Sequence, residues 1–290
     1  MTIDGGRLHL IERAAARLEP AAASPAAWTA AAPVAARAAD NIGPLPAAER
    51  GVVIDRAALE RGGMIDGGKP GARVAEEFRI VQAEILRRSG GANQSDAAPR
   101  CKLVMVTSAL PREGKSFTAL NVAVGIARND ERRVLLVDAD GKAGSLGDRF
   151  GLAAAPGLLD LAADRTRDPA GLIVASAIAN LDFLPLGSGA EASPEGLGES
   201  STAGVIEMLA NRYHDRLILI DAPACLSSSR PHLFAPLVAQ VVLVVAAGST
   251  QESDVEAALG LVRSCAGVSL LLNKVRRWHA HSFGSYASAS

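Results

Sequence analysis

Cysteine is scarce in this 290-residue chain: Cys101, Cys225 and Cys265 stand far apart, with no C-x-x-C pair among them. A disulfide framework or a zinc framework is therefore not expected, and the thiols read as buried or incidental in a reducing compartment. A dominant charge is missing too. Thirty Lys and Arg face 31 Asp and Glu for a net charge of −1, and there is no long basic run, which argues against a nucleic-acid partner. Long hydrophobic runs are also lacking. The stretch VVLVVAA at 241–247 is of strand length, well short of the roughly 18–20 residues of a spanning helix. Asp4 and Glu12 interrupt any early apolar segment of the kind a secretory signal needs. The expectation is a cytoplasmic chain that works at a membrane only if something else holds it there.

What is present divides into four stretches. Residues 1–19 contain RLHLIERAAARLE, a short amphipathic helix with Leu8, Ile11, Ala15 and Leu18 on one face. Its polar face is not strongly basic, so docking or capping fits it better than membrane anchoring. Residues 20–70 are an Ala/Pro-rich linker around Trp28 followed by an arm (Val52, Val53, Ile54, Leu59, Met64, Ile65) that packs on the main domain. Residues 71–275 are expected to be the main domain, and 276–290 a flexible, Ser-rich tail.

The domain is organised around KLVMVTSALPREGKSFTALNVAVGIAR, residues 102–128. It reads as a buried strand, a tight loop holding Gly114-Lys115-Ser116, and a helix with Phe117, Leu120, Val124 and Ala127 at helical spacing. Strand, G-K-[ST] loop and helix in that order are the context of a phosphate-binding P-loop. Backbone N–H groups face an anion, Lys115 adds a point charge, and the Ser116 hydroxyl suits Mg²⁺. The motif departs from G-x-x-x-x-G-K-[ST], because Ala109 stands in place of the first glycine and Arg112 adds bulk. Taken alone, the stretch is equally a strand–helix turn with a surface lysine.

The chain beyond it decides between these readings. RRVLLVDADGK ends a second apolar strand on Asp138, with Asp140 two residues later, and RLILIDAPA ends another on Asp221. LDFLPLG (181–187), QVVLVVAAG (240–248) and VSLLLNK (268–274) are further strands, and 202–213 and 251–264 are helical stretches. Continuous apolar strands alternating with helices imply an α/β fold, a mostly parallel doubly wound sheet with helices on both faces. Such sheets bind ligands at the carboxyl ends of their strands. Carboxylates beside a polyphosphate are tolerable there only with Mg²⁺ between them, or where one removes a proton from a nucleophile.

With these motifs in place, the sequence resembles the bacterial tyrosine kinases of exopolysaccharide export, a P-loop NTPase family. TSALPREGKSFTALNVA is similar to their Walker A segment, VLLVDADGK to Walker A′ and LILIDAPA to Walker B. GLLDLAA, AQVVLVVAAGSTQE and LLNKVRR match later landmarks, and the resemblance runs from about Gly51 to Arg277. LIERAAARLE resembles the branch associated with exosortase (PEP-CTERM) systems. Partition and division-site ATPases carry a signature lysine at the position of Leu110, which favours the kinase branch.

The resemblance implies ATP and Mg²⁺ as cofactors. Ala109, Glu113, Gly114, Lys115, Ser116 and Phe117 would form the phosphate cradle, with Asn273 and Lys274 near the adenine. Ser116, Asp140 and Asp221 would serve the metal. Lys115, Asp138 and Asp140 would be catalytic, with the base either Asp138 or Asp140. Glu76 and Arg79 match two positions of an E-x-x-R-x-x-R oligomerisation helix whose third position here is Gln82, and Lys142 replaces an arginine of Walker A′. The family's tail is a tyrosine cluster, whereas this chain has two tyrosines, Tyr213 and Tyr286, so Tyr286 is the one tail candidate for autophosphorylation. His279 and His281 form only an H-x-H, without a third metal ligand. The implied function is a tyrosine autokinase that regulates exopolysaccharide polymerisation and export, homo-oligomeric in its family's manner and recruited to the inner face of the plasma membrane by a chain-length determinant protein. The alternative is a nucleotide-binding regulatory module with little or no kinase activity.

Overall fold

The computed structural model describes residues 53–65, 71–89, 102–129, 132–187 and 199–275. The expected helix at 7–19, the linker around Trp28, most of the 89–99 loop, and the tail with His279, His281 and Tyr286 lie outside the described residues. Among the described residues the strands are β1 (Val53–Ile54), β2 (Leu103–Ser108), β3 (Arg133–Asp138), β4 (Val174–Ser176), β5 (Leu181–Leu184), β6 (Arg216–Asp221), β7 (Gln240–Ala246) and β8 (Val268–Asn273). They form one sheet in the order β1-β4-β5-β3-β6-β2-β7-β8. Every neighbouring pair is parallel except β4 and β5.

The alternation of side chains along the central strands explains why helices cover both faces. Val104, Val106, Val134, Leu136, Leu217, Leu219, Val242 and Val244 point into one core. That core is closed by α1 (Arg56–Gly62), α2 (Ala72–Arg88) and α3 (Lys115–Asn129). Leu103, Met105, Leu135, Val137, Ile218, Ile220, Val241 and Leu243 point into the other. There they meet α5 (Leu158–Ala163), α6 (Glu199–Arg212), α7 (Arg230–Phe234) and α8 (Glu252–Val262). The short α4 (Leu146–Arg149) lies on the first face through Leu146.

Two departures from the periodicity reading have physical causes. Leu120, Val124 and Ala127 of α3 are buried as expected, but so are Ala119, Val122, Ala123 and Ile126. The helix is sandwiched between the sheet and α2, so one apolar stripe is not enough. Residues 53–65 go further into the fold than an arm need do. β1 adds to the sheet beside β4, and Ile54, Leu59 and Met64 are buried in the first core. Asn121 on α3 fastens this segment: its carboxamide accepts from Ile65 N at 2.8 Å and donates to Gly63 O at 3.0 Å.

Candidate nucleotide-binding site

Three adjacent strands, β3, β6 and β2, end side by side, and their carboxyl ends make the site. The register sets Asp138 opposite Asp221 and Val106 opposite Asp221. Backbone bonds continue past the strand ends, from Ala139 N to Asp221 O at 2.9 Å and from Ala222 N to Val106 O at 3.0 Å. The acidic strand ends are therefore fixed relative to the loop that follows β2.

That loop runs from Ala109 to Gly114 and enters α3 at Lys115. Gly114 has φ 104, in the left-handed region, and a β-carbon there would overlap the Asn273 amide. Glycine is required twice over at this position. Arg112 also adopts a positive φ, 67, without being glycine. The Lys274 ammonium donates to the Arg112 carbonyl and holds this residue in place. Asn273 Nδ2 donates to Glu113 O at 2.8 Å. Asn273 and Lys274 thus brace the loop through its backbone, a role that the adenine-side expectation did not contain. Glu113 is buried, and its carboxylate accepts from Leu110 N at 2.6 Å, from Ala246 N at 3.0 Å and from the Thr250 hydroxyl. The Phe117 ring packs on Phe78 of α2 with centroids 5.9 Å apart.

Lys115 is buried among the carboxylates. Its ammonium is bonded to Asp140 Oδ2, 3.2 Å from Ser116 Oγ and 3.8 Å from Asp221 Oδ1. Burial disfavours its charge, but the Asp221 and Asp140 carboxylates outweigh that and hold its pKa above the ordinary value. Asp138 is wholly buried. Its Oδ1 accepts from Asp140 N at 3.1 Å and its Oδ2 from Gly147 N at 2.9 Å. Burial raises its pKa against the pull of these bonds. Asp221 is the extreme case: it is fully buried, neither oxygen has a hydrogen-bond partner, and burial pushes its pKa up to about 7. Asp140 Oδ1 is buried and unpartnered as well.

Buried, unpartnered carboxylate oxygens are rare and expensive. Three of them around one lysine and one serine hydroxyl form a hard-oxygen donor set that suits Mg²⁺. Among the described residues, no group of three or more His, Cys, Asp and Glu is arranged to hold a metal alone.

The structure therefore brings Lys115, Ser116, Asp138, Asp140 and Asp221 together, with Asn273 and Lys274 at one side of the loop. Glu76 and Arg79 lie elsewhere, on the exposed face of α2, paired with each other at 2.6 Å. Gln82 is buried against α3, within 3.5 Å of Asn121 O, and so does not extend that charged face. Lys142 donates to Ser227 Oγ at 2.8 Å, and Arg230 donates to Ala139 O at 2.9 Å. Both tie the loop after β3 to the segment after β6. Tyr213 is buried with the Arg216 guanidinium 4.6 Å from its ring centroid, which is a packing role. The sequence reading did not single out Arg230 or Thr250, because each acts on a residue some 90 to 140 positions away.

No protein-family model matches the chain. CapB of Staphylococcus aureus, named a putative tyrosine-protein kinase, is 28% identical over 209 residues, which is 71% of this chain and 87% of CapB. The crystal structure of the VpsO kinase domain superposes with a TM-score of 0.56 at 29% identity, over 70% of this chain and 95% of that one. The chain is thus similar, in sequence and in fold, to bacterial tyrosine kinases. A further relative is ExoP of Rhizobium meliloti, named a succinoglycan biosynthesis transport protein. It is 30% identical over 61% of this chain, and the match spans only 22% of ExoP's own length. The P-loop, Asp138, Asp140 and Asp221 thus sit in a framework like that of the VpsO kinase domain, and that likeness implies nucleotide binding.

Proposed function

We propose that the chain is an ATP-dependent protein-tyrosine autokinase that regulates exopolysaccharide polymerisation and export. The observation that carries this is the set of unpartnered buried oxygens on Asp221 and Asp140 around Lys115 and Ser116. In this reading the loop N–H groups and Lys115 bind the β- and γ-phosphates. Ser116, Asp140 and Asp221 would hold Mg²⁺, which would supply charge neutralisation. Asp138 is the proton acceptor for the attacking hydroxyl. Each of its oxygens carries a backbone hydrogen bond, and burial raises its pKa, which suits a base. Positioning and electrostatics then account for most of the catalysis.

The polysaccharide role draws on the names of CapB and ExoP and on the sequence resemblance. So does the partner, a membrane chain-length determinant that recruits the chain to the inner face of the plasma membrane. No helix among the described residues is long and apolar enough to cross a membrane, so attachment through a partner is consistent with the fold. Homo-oligomerisation through the Glu76–Arg79 face of α2, and the exosortase-associated branch, are parts of the same proposal.

The test is a phosphopeptide map after incubation with Mg-ATP, comparing wild type with Lys115→Met. Phosphate on Tyr286 in the wild type alone is the expected result. Wild type that binds Mg-ATP yet leaves Tyr286 unmodified sinks autokinase activity. One observation favours a second reading, a regulatory nucleotide-binding module. Of the two tyrosines in this sequence, Tyr213 is buried, which leaves Tyr286 as the candidate acceptor. In that case Tyr286→Phe leaves polysaccharide output unchanged and Lys115→Met abolishes it.

A further inference from the structure

Glu113 occupies a variable position of the loop motif, and its side chain does something the motif does not describe. The carboxylate is buried and gathers three donors: Leu110 N on Oε2, and Ala246 N together with the Thr250 hydroxyl on Oε1. Its own carbonyl accepts from Asn273 Nδ2. One residue therefore clasps the P-loop, the end of β7, the turn that leads into α8, and the end of β8. The loop needs such a clasp. Ala109 stands where the motif has its first glycine, Arg112 is held at φ 67, and Gly114 at φ 104 is pressed against Asn273. The Arg112 torsion in particular is not the relaxed choice of a free loop. A carboxylate placed directly behind a polyphosphate cradle also repels the ligand. Its presence there is intelligible only if the geometry it imposes matters more than the repulsion.

We propose that Glu113 is a positioning residue. It fixes the P-loop backbone N–H groups in their phosphate-binding geometry by tying Leu110 to the β7–α8 turn through Ala246 and Thr250. The inference rests on the nucleotide-site reading above and deepens it. Glutamine cannot replace Glu113, because three donors converge on two acceptor oxygens and an amide turns its own donor toward at least one of them. Thr250 contributes a hydroxyl that serine retains and valine loses.

Calorimetric titration of the full chain with Mg-ADP tests this, alongside the melting temperature of each unliganded variant. Glu113→Gln weakens binding about tenfold or more and Thr250→Val about threefold. Thr250→Ser restores wild-type affinity. The double variant Glu113→Gln/Thr250→Val binds no more weakly than Glu113→Gln alone, because both remove the same contact. Lys115→Met separates the two levels of the claim. If wild type does not bind Mg-ADP, or Lys115→Met binds as wild type does, the nucleotide-site reading fails and this inference with it. If wild type binds, Lys115→Met does not, and Glu113→Gln binds as wild type does, the positioning role is overturned while the site stands. Should Glu113→Gln fail to fold, equal affinities for Thr250→Val and Thr250→Ser overturn it instead.

Discussion

Asp221 has no hydrogen-bond partner for either carboxylate oxygen, only the Lys115 ammonium 3.8 Å from Oδ1, and no contact with solvent. Its folded pKa of about 7 stands above the ordinary 3.8, so the folded chain holds this proton more tightly than the unfolded chain does. The associated stability is fully present below pH ~4 and is lost as pH rises through ~7. At roughly 1.4 kcal/mol per pKa unit, the ionised group costs the ligand-free fold a few kcal/mol at pH 8. Asp221→Asn is therefore expected to melt higher than wild type at pH 8 in the presence of a chelator, with the gap narrowing at pH 5. A gap equal at both pH values would show that burial of charge is not its cause. Mg-ADP should raise the melting temperature of wild type and much less that of the variant. The residue types of this site were legible in the sequence, because G-K-S and three aspartates at strand ends require only local pattern. The tasks of Glu113 and Arg230 were not. Glu113 finds Ala246 and Thr250 across 133 and 137 residues, and no local pattern encodes that meeting.

Helical periodicity was informative about α3 and incomplete, and two glycines show why. Gly125 lies inside α3 and Gly260 inside α8, and helix propensity alone treats them alike. A β-carbon at 125 would run into the Gln82 carboxamide, which is buried between α2 and α3 and reaches Asn121 O and Asn129. A β-carbon at 260 meets nothing within 4 Å. Gly260→Ala is expected to stabilise the fold by about 0.5–1 kcal/mol. Gly125→Ala should destabilise it by about 1–2 kcal/mol, overpacking outweighing the gain in propensity. Urea denaturation of the two variants reads both signs, and a stabilised Gly125→Ala would contradict the close packing of α2 on the P-loop helix. The same reasoning explains which elements escaped the pattern. β1 and β4 have two and three residues, too few for alternation to register. α1 is held by the Asp55 side chain, which accepts from Ala58 N, and by Gly63 at φ 102, rather than by a long apolar stripe.

At the scale of the whole chain, the nucleotide site and the segment before α2 share one helix. Asn121 stands between them on α3. It accepts from Ile65 N at 2.8 Å and donates to Gly63 O at 3.0 Å and Phe117 O at 2.8 Å. Phe117 follows Ser116 directly, and a β-carbon on Gly63 would sit 3.0 Å from its ring. Ordering of the P-loop by a ligand is therefore expected to tighten residues 53–65, whose strand β1 stands at the edge of the sheet. Hydrogen exchange checks this. In wild type, Mg-ADP should slow exchange across 53–65 as well as in the loop itself. Asn121→Ala leaves Ile65 N–H without its acceptor and lowers stability by about 1–3 kcal/mol. In that variant 53–65 should exchange faster than in wild type, and Mg-ADP should protect the loop without protecting the segment. Protection of 53–65 that persists in Asn121→Ala would mean the signal travels through the packing of Phe117 on Gly63. Equal acceleration of β2 and β6 would mean the substitution has loosened the whole sheet, and the coupling through Asn121 would be refuted.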